Sequence, residues 1–265
     1  MRIGIPRETK EGERRAILGP GEAASLVAAG HEVLVERGAG AGIGAGDDAY
    51  AAAGARIVGP EEAWAAELVV KVKEVQPHEM HRVTEGPLLF GFQHLAGEPE
   101  TTREMARRRA SAIAFELVRD ARGGFPLLAP MSQIAGRMAI ERAQAILGRA
   151  PARVLVLGAG HAGLAAAQAA LAAGAHVAVL TRSDASRAAA RHRLGPDAEC
   201  GLAAPEEVER HALLADVVVG AVFIPGTPTP KLLPRALVRR MRRGSVIVDV
   251  SIDAGGVAET SRPTT

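Results

Sequence analysis

The sequence has almost no cysteine, and it lacks both a charge excess and a long apolar run. Cys200 is its single cysteine, which excludes an internal disulfide framework and fits a reducing compartment. The 32 basic and 30 acidic residues nearly cancel, so we expect no nucleic-acid partner. The apolar runs are too short to cross a bilayer, and the strand-like N-terminus is unlike a signal peptide. These absences predict a soluble cytoplasmic protein without a membrane association.

What the sequence does contain is a dinucleotide-binding pattern within residues 153–183. An apolar, β-branched run at 154–157 is typical of a strand buried on both faces of a parallel sheet. An Ala-rich helical run and a second apolar run at 177–180 follow it. Strand, loop, helix and strand therefore arrive in the order that a dinucleotide-binding unit requires.

The loop of this pattern carries glycines at G-x-G-x-x-G spacing. In such a loop Gly158 permits a tight turn, Gly160 leaves room for a pyrophosphate, and Gly163 lets the helix pack closely on the strand. The helix N-terminus adds free N–H groups and a positive dipole end for the phosphates. A purely structural glycine turn is the alternative interpretation of the same spacing.

Strand and helix patterns alternate along both halves of the chain. The predicted strands lie at 2–6, 31–36, 56–58, 68–73, 88–92 and 111–115, and then at 154–157, 177–180, 216–220 and 245–250. This alternation predicts an α/β protein with two Rossmann-like domains, each built on a mostly parallel sheet. We place a substrate domain at 1–130 and a dinucleotide-binding domain at 131–265, linked by a long helix over 132–147 and separated by a cleft.

Four polar side chains of the first half lie where predicted strands end or loops begin, which is where α/β folds place ligands. They are Arg15, Lys71, Lys73 and His94. A strand over 68–73 would point both lysines to the same face. An amino or keto acid needs a cation for its carboxylate, a donor for its carbonyl and an acid–base group near neutral pH. The set supplies all three, although each residue also has an ordinary structural interpretation as a surface arginine, an edge-strand lysine or a strand-end histidine.

Longer motifs resemble the alanine dehydrogenase and nicotinamide nucleotide transhydrogenase α-subunit family. The resemblance rests on MRIGIPRETKEGERRAILGP, VKVKE, FQHLA, APMSQIAGRMA, GAVFIPGTPTPKLL and GSVIVDVSIDAGGVAETSRPTT, which cover nearly the whole chain in collinear order. SIDAGG, SRPTT and MSQIAGRMA are closer to the dehydrogenase, whereas GAGHAGLAA is closer to the transhydrogenase subunit.

The resemblance implies roles for individual residues. Arg15 and Lys73 match positions that bind the carboxylate and the keto or amino function of pyruvate or alanine. His94 and Asp253 match the catalytic histidine and aspartate, and Met131 matches a hinge-side position near the substrate. The implied coenzyme-binding residues are Ser132, Gly158, Gly160, His161, Ala162, Gly163, Thr181, Arg182, Ser183, Val222, Phe223 and Ile252.

The reaction implied by the resemblance is the NAD(P)-dependent, reversible oxidative deamination of L-alanine, or of a related small amino or imino acid, to pyruvate and ammonium. Its partner is a small-molecule substrate, and no metal is implied. Two alternatives stay open: a coenzyme-binding homologue with weak catalysis, and an NAD(H)-binding protein like the transhydrogenase subunit.

The choice between NAD and NADP depends on the end of the second strand of the dinucleotide-binding domain. The family's dehydrogenases carry an acidic residue there, which binds the ribose hydroxyls and favours NAD. Here Thr181, Arg182 and Ser183 stand instead, and a cation with a hydroxyl suits a 2′-phosphate. We therefore predict NADP over NAD, with acceptance of either coenzyme as the alternative.

The family also continues beyond the SRPTT segment with another strand and a returning helix. Without that strand one edge of the sheet would be exposed. The exposed edge and the family together predict a homo-oligomer, and they leave open both the extent of catalysis and the choice of amino acid.

Overall fold

Every strand pairing that the computed structural model shows within residues 1–264, the part of the chain that it describes, is parallel. The chain divides into two units, Met1–Val118 and Arg119–Thr264, and each unit contains one sheet. Parallel neighbours require a crossover connection, usually a helix. The predicted α/β class with two parallel-sheet domains is therefore confirmed.

The first unit is built on a sheet of six strands. The strands are β1 (Arg2–Ile5), β2 (Glu32–Glu36), β3 (Arg56–Val58), β4 (Leu68–Val70), β5 (Leu88–Gly91) and β6 (Ser111–Ala114), and the helices are α1 (Pro20–Ala28), α2 (Asp47–Ala52), α3 (Pro60–Trp64) and α4 (Pro99–Arg107). Their order across the sheet is β3-β2-β1-β4-β5-β6. The order reverses between β1 and β4, and such a switch point is where an open parallel sheet binds its ligand.

The second unit is built on five strands. The strands are β7 (Arg153–Leu157), β8 (His176–Thr181), β9 (Ala198–Leu202), β10 (Val217–Gly220) and β11 (Val246–Asp249), and the helices are α5 (Leu128–Leu147), α6 (His161–Ala172), α7 (Asp184–Leu194), α8 (Pro205–Ala212) and α9 (Arg235–Val238). The order is β11-β10-β7-β8-β9, so the switch point lies between β7 and β10. This order is that of the first five strands of a Rossmann-type nucleotide unit.

Small residues let the long helix α5 pack tightly in the second unit. Gly136 is buried in α5, and a Cβ there would collide with the carbonyl oxygen of Ala162 at the start of α6. Ala139, Ile140 and Ala143 continue this buried face over the strands. The first turn of α6, next to the glycine loop, is therefore backed by a closely packed helix.

Besides shifts of one residue at strand ends, the elements that differ from the sequence-based predictions include β4, α5 and β9. Strand β4 ends at Val70, so the predicted strand over 68–73 is too long. Helix α5 begins at Leu128 and lies wholly in the second unit, and the units divide at Val118 and Arg119; the domain boundary at 130 and 131 stays a prediction. Strand β9 was not predicted, because its sequence AECGL combines a charged residue and a glycine at an edge position.

Within the described residues no helix is both long enough and apolar enough to span a membrane.

Candidate active site

A cleft of about 700 Å³ lies at the carboxyl ends of the second unit's strands. It is lined by the loop after β7, the end of β8, the segment after β9 and the segment after β10. Its lining residues are Phe125, Leu128, Ser132, Gly158, Ala159, Gly160, His161, Ala162, Leu180, Thr181, Arg182, Ser186, Leu202, Ala203, Ala204, Ala221, Val222, Phe223, Ile224, Pro225, Pro230 and Leu232. The cleft therefore occupies the switch point at which such folds bind dinucleotides.

The three glycines of the loop after β7 have different surroundings. Gly158 has a φ of +102°, and a Cβ there would collide with the carbonyl oxygen of Ala221. A Cβ on Gly163 would collide with the carbonyl oxygen of Gly158. Gly160, by contrast, has no atom within 4 Å of where its Cβ would be. Two glycines thus permit close backbone packing, and the third faces open space that suits a pyrophosphate.

The N-terminus of α6 is open to a ligand. Gly160 is the N-cap of this helix and has no side chain to satisfy the first N–H groups. These N–H groups and the helix dipole form a site for anions. The loop and the helix end together fit the phosphates of a dinucleotide.

The end of β8 carries Thr181, Arg182 and Ser183, the residues predicted to select the coenzyme. Thr181 is buried, and its hydroxyl donates a 3.1 Å hydrogen bond to the carbonyl oxygen of Ser183. The Ser183 hydroxyl caps α7 by accepting the N–H of Ser186 at 3.3 Å. Arg182 and Ser186 line the cleft, and among the described residues none that lines it is acidic. The nearby Asp184 is paired with Arg187 at 2.7 Å.

Most of the predicted coenzyme residues line this cleft, but several do not. The predicted coenzyme residues that line it are Ser132, Gly158, Gly160, His161, Ala162, Thr181, Arg182, Val222 and Phe223. The lining does not include Gly163, Ser183 or Ile252, and it does not include Met131, which was predicted to contact the substrate. The sequence-based prediction missed Ser186 and Phe125. The sequence DAS at the start of α7 and the apolar sequence FPLL leading into α5 are the signals that could have found them.

Phe125 extends the apolar wall of the cleft. Its ring makes a T-shaped contact with Phe223, with 5.8 Å between centroids, and the guanidinium of Arg119 lies 4.7 Å from its centroid. An apolar wall facing an open glycine loop is typical of a site for a large, partly aromatic ligand.

Asp253 lies on a turn after β11 that hydrogen bonds of Lys231 and Asp249 hold in place. The Nζ of Lys231 donates to the carbonyl oxygens of Gly255, Gly256 and Ala258, of which the Gly256 bond is 2.9 Å. The Asp249 carboxylate accepts the N–H of Val257 at 2.8 Å and the hydroxyl of Ser261 at 2.6 Å.

Glycine positions leave room for the Asp249 carboxylate. A Cβ on Gly256 would lie 2.6 Å from one of its oxygens, and a Cβ on Gly220 would lie 2.7 Å from the other. A lysine and an aspartate therefore hold the segment that carries Asp253.

In the first unit, the carboxyl ends of β1 and β4 are joined by a buried ion network. Lys71 is 4% exposed, and its Nζ lies 2.7 Å from both carboxylate oxygens of Glu79. Thr9 donates to the same carboxylate at 2.7 Å. The prediction that Lys71 and Lys73 share a strand face is wrong, because the strand ends first and Lys71 turns inward to Glu79.

Glu8 explains why β4 ends at this point. Its carboxylate accepts the backbone N–H groups of Val72 at 2.6 Å and Lys73 at 3.3 Å, so neither is available to a neighbouring strand. Burial raises the pKa of Glu8, and the charge of Lys71 and these two hydrogen bonds offset that effect only in part. The polar loop after β1 is thereby fastened to the segment that carries Lys73.

Arg15 is paired with Glu13. The Arg15 Nε and Nη2 atoms donate to the two carboxylate oxygens of Glu13 at 2.8 and 2.6 Å. Burial alone would raise the pKa of Glu13, but the hydrogen bonds from Arg15 and the charges of Arg15 and Lys73 lower it. The charges of Arg15 and Lys73 thus both act on one carboxylate.

His94 follows β5 in a strained backbone conformation. Its φ is +47°, which is uncommon for a residue with a side chain. The buried Glu116 carboxylate accepts the N–H of His94 at 2.7 Å and that of Gln93 at 3.2 Å. The imidazole stacks on Phe92 with 5.8 Å between ring centroids.

His94 also lies in the same charged environment as the loop after β1. Burial alone would raise the pKa of Glu74, but the hydrogen bond from Lys10 lowers it, and the charge of His94 acts in the same direction. The Lys10 and Glu74 side chains are 2.5 Å apart. His94 follows β5 and Glu74 follows β4, so both lie at the carboxyl edge of the first sheet.

One cluster away from both sites has the composition of a metal site. Glu199, Glu207 and His211 bring their ligand atoms within 4.8 Å of one another. The Nη2 of Arg210 lies 2.9 Å from Glu199, 2.7 Å from Glu207 and 2.7 Å from the His211 ring. The guanidinium thus occupies the position between these groups, and the cluster is explained as an ion-pair network.

Two parallel α/β units, one with a glycine cradle for phosphates and one with cations at its switch point, define a two-domain dinucleotide-binding protein. The alanine dehydrogenase/PNT family matches in both of its parts, the N-terminal domain at residues 4–135 and the C-terminal domain at residues 129–265. This chain therefore belongs to the alanine dehydrogenase/PNT family.

Individual relatives agree with this assignment. An alanine dehydrogenase of Halomonas elongata is 41% identical over 282 residues, which cover 100% of this chain and 76% of the relative. A solved L-alanine dehydrogenase is 38% identical with a TM-score of 0.83, covering 100% of this chain and 78% of the other. A transhydrogenase from Sinorhizobium meliloti is 29% identical with a TM-score of 0.80, covering 99% and 82%.

Proposed function

We propose that this chain is an amino-acid dehydrogenase that interconverts L-alanine with pyruvate and ammonium, using a nicotinamide dinucleotide. The observation that carries the proposal is that Arg15 follows β1 and Lys73 follows β4, the two strands of the switch point, and that Glu8 joins these two segments, in a chain whose relatives are alanine dehydrogenases. Two cations at a ligand-binding edge suit a small anionic substrate.

The proposed roles follow from the chemistry of each side chain. Arg15 binds the substrate carboxylate, because its guanidinium still has donors beyond those given to Glu13. Lys73 donates to the keto or amino function. His94 moves the proton at that function, because an imidazole changes charge near neutral pH. Asp253 is the second acid–base group, and Met131 contributes to substrate binding.

The coenzyme is proposed to bind through the cleft of the second unit. The loop glycines and the N-terminus of α6 hold the phosphates, and the apolar wall with Phe223 holds the rings. When bound, the nicotinamide accepts the hydride that leaves the substrate α-carbon. Ser132 and Ile252 are proposed to contact the coenzyme as well.

A preference for NADP is the finer proposal. It is supported by Arg182, which lines the cleft at the strand end where the family's dehydrogenases carry an acid, by Ser186, which also lines the cleft, and by the absence of acidic lining among the described residues. Arg182→Ala should weaken NADP binding much more than NAD binding, and Ser186→Asp should turn the preference toward NAD, because a carboxylate repels a 2′-phosphate. Equilibrium titrations with both coenzymes test this, and tighter NAD binding that is unchanged in Arg182→Ala would contradict it.

We also propose that the protein acts in the cytoplasm as a homo-oligomer. The single cysteine suits a reducing compartment, and β11 lies at the edge of its sheet. Light scattering on the purified chain measures the oligomeric state.

The activity itself is tested by incubating the purified chain with L-alanine and either oxidised coenzyme and following the formation of reduced coenzyme. We expect turnover with alanine, and His94→Ala should lower it by about a hundredfold or more. Coenzyme binding without turnover of any small amino acid would contradict the proposal. Hydride exchange between two dinucleotides would instead favour a function like that of the transhydrogenase relative.

A further inference from the structure

Arg15 has two pairs of donors, and the structure uses only one of them. A guanidinium carries five N–H groups in a planar fork. The pair formed by Nε and Nη2 is given to Glu13 at 2.8 and 2.6 Å, and among the described residues Glu13 is the only hydrogen-bond partner of this guanidinium. Nη1 and the second N–H of Nη2 form an end-on pair, which can bind another carboxylate in the same planar way.

The Glu13 carboxylate is itself held in place. Its side chain is 8% exposed, against 42% for that of Arg15. One of its oxygens also accepts the backbone N–H of Arg15 at 2.9 Å. A buried acceptor with three hydrogen bonds from one residue fixes both the backbone and the side chain of that residue.

The loop that carries Glu13 and Arg15 is held in place by contacts on both sides. Lys10 is paired with Glu74, and the N–H of Glu13 donates to the Lys10 carbonyl at 3.0 Å. On the other side Gly42 approaches the backbone of Arg14 so closely that a Cβ would collide with its carbonyl oxygen. The backbone that carries Glu13 and Arg15 therefore has little freedom to move.

We propose that Glu13 is a positioning residue, which holds the Arg15 guanidinium so that its end-on pair is presented to the carboxylate of the substrate. Without this contact a half-exposed arginine would have to give up its rotamer freedom when the substrate binds. Ordering the side chain in advance removes that cost from binding. This inference rests on the proposed function, since it requires an amino or keto acid as the ligand.

The test compares the parent with Glu13→Gln, with Arg15→Lys and with the double variant. Calorimetric titration of pyruvate into the coenzyme-loaded protein gives Kd, and initial rates give KM and kcat. Glu11→Gln, an exposed change in the same loop, is the matched control. Coenzyme affinity, a property of the other unit, and circular dichroism check that each variant is folded.

We expect Glu13→Gln to raise the Kd and KM for pyruvate roughly tenfold, with kcat and coenzyme affinity changed by less than about twofold. In the Arg15→Lys background the same change should have almost no effect, because no guanidinium remains to be positioned. Glu13→Asp keeps the charge but withdraws the carboxylate by one methylene, so it should weaken pyruvate binding as well. If Glu13→Gln misfolds, Glu13→Asp in the same two backgrounds gives the comparison.

Other outcomes overturn the inference. Tighter pyruvate binding by Glu13→Gln would mean that Glu13 competes with the substrate for Arg15. Equal losses in both backgrounds would mean that Glu13 only supports the loop. If the parent binds pyruvate without turnover, the proposed function fails while the Kd comparison still tests Glu13; if the parent does not bind pyruvate at all, both fail.

Discussion

The carboxylate of Glu116 accepts the backbone N–H of His94 at 2.7 Å, and His94 has a φ of +47°. A non-glycine residue in this region is held there by its surroundings, often at a functional site. Glu116 is 7% exposed and also accepts the N–H of Gln93. One buried carboxylate thus fixes the backbone that presents the imidazole.

Glu116→Gln should therefore impair both stability and turnover. The amide lacks the carboxylate charge and has only one acceptor oxygen in place of two, and weakening the hydrogen bonds of these buried N–H groups costs about 1–3 kcal/mol of unfolding free energy. Turnover should fall because the His94 backbone can relax from its strained conformation. Urea denaturation and initial rates measure the two effects. Glu100→Gln, on the exposed side of α4, is the control, and a Glu116 variant that matches it in both measurements would contradict the prediction.

Alanine substitutions at Gly163 and Gly160 should have different effects on stability and on coenzyme binding. Gly163→Ala should lower the melting temperature and abolish coenzyme binding, because its Cβ has no room against the Gly158 carbonyl oxygen. Gly160→Ala should leave the melting temperature within a few degrees of the parent, since the space around it is open, and should weaken coenzyme binding about tenfold or more because the methyl group occupies the space for the pyrophosphate. Thermal melts with and without coenzyme measure both. Normal coenzyme binding by Gly160→Ala would refute the assignment of that space.

Lys231→Met should loosen the turn that carries Asp253. It removes the ammonium group that binds three carbonyl oxygens of residues 255–258, and hydrogen bonds to a charged group contribute about 1.5–3 kcal/mol each. Hydrogen exchange should become faster for the backbone amides of 251–261, and turnover should fall several-fold. Arg239→Met, an exposed change near α9, should alter neither. Unchanged exchange in Lys231→Met would show that Asp249 holds the turn alone.

The pH dependence of stability should report on Asp216. Burial alone would raise the pKa of this carboxyl, but hydrogen bonds from Arg149 and from the backbone N–H groups of Arg153 and Ala152 lower it. A carboxyl whose pKa is lowered by folding stabilises the protein above its unfolded pKa of about 3.9, and that contribution is lost as the pH falls through the lower folded value. Asp216→Asn should therefore be less stable than the parent near neutral pH.

The same linkage predicts that the difference in unfolding free energy between the parent and Asp216→Asn becomes steadily smaller below about pH 4. Denaturant titrations from neutral to acidic pH measure it. Asp48→Asn, an exposed change in the other unit, should show no such trend. If the difference in unfolding free energy stays constant down to the lowest pH measured, the charge of the Asp216 carboxylate does not stabilise its contacts with Arg149, Ala152 and Arg153.

The sequence by itself determined the parts of this protein that depend on local pattern. Apolar runs such as 154–157 define buried parallel strands, and glycine spacing marks the phosphate loop, because both are consequences of residues that are neighbours in the chain. The family motifs likewise identified Arg15, Lys73 and His94 as candidates. In the structure two of these glycines lie against backbone and the third faces open space.

Only the tertiary structure decided which polar groups meet, because partners distant in sequence are brought together by packing. Lys71 and Lys73 look equivalent in VKVKE, yet Glu79 takes the first into a buried ion pair, and the second acts on Glu13. Thr181 looked available to a coenzyme; it lines the cleft, and its buried hydroxyl donates to the carbonyl oxygen of Ser183. Burying an unpaired charge or hydroxyl is energetically unfavourable, so each buried group needs a specific partner. Nothing in the local sequence pattern shows where those partners lie.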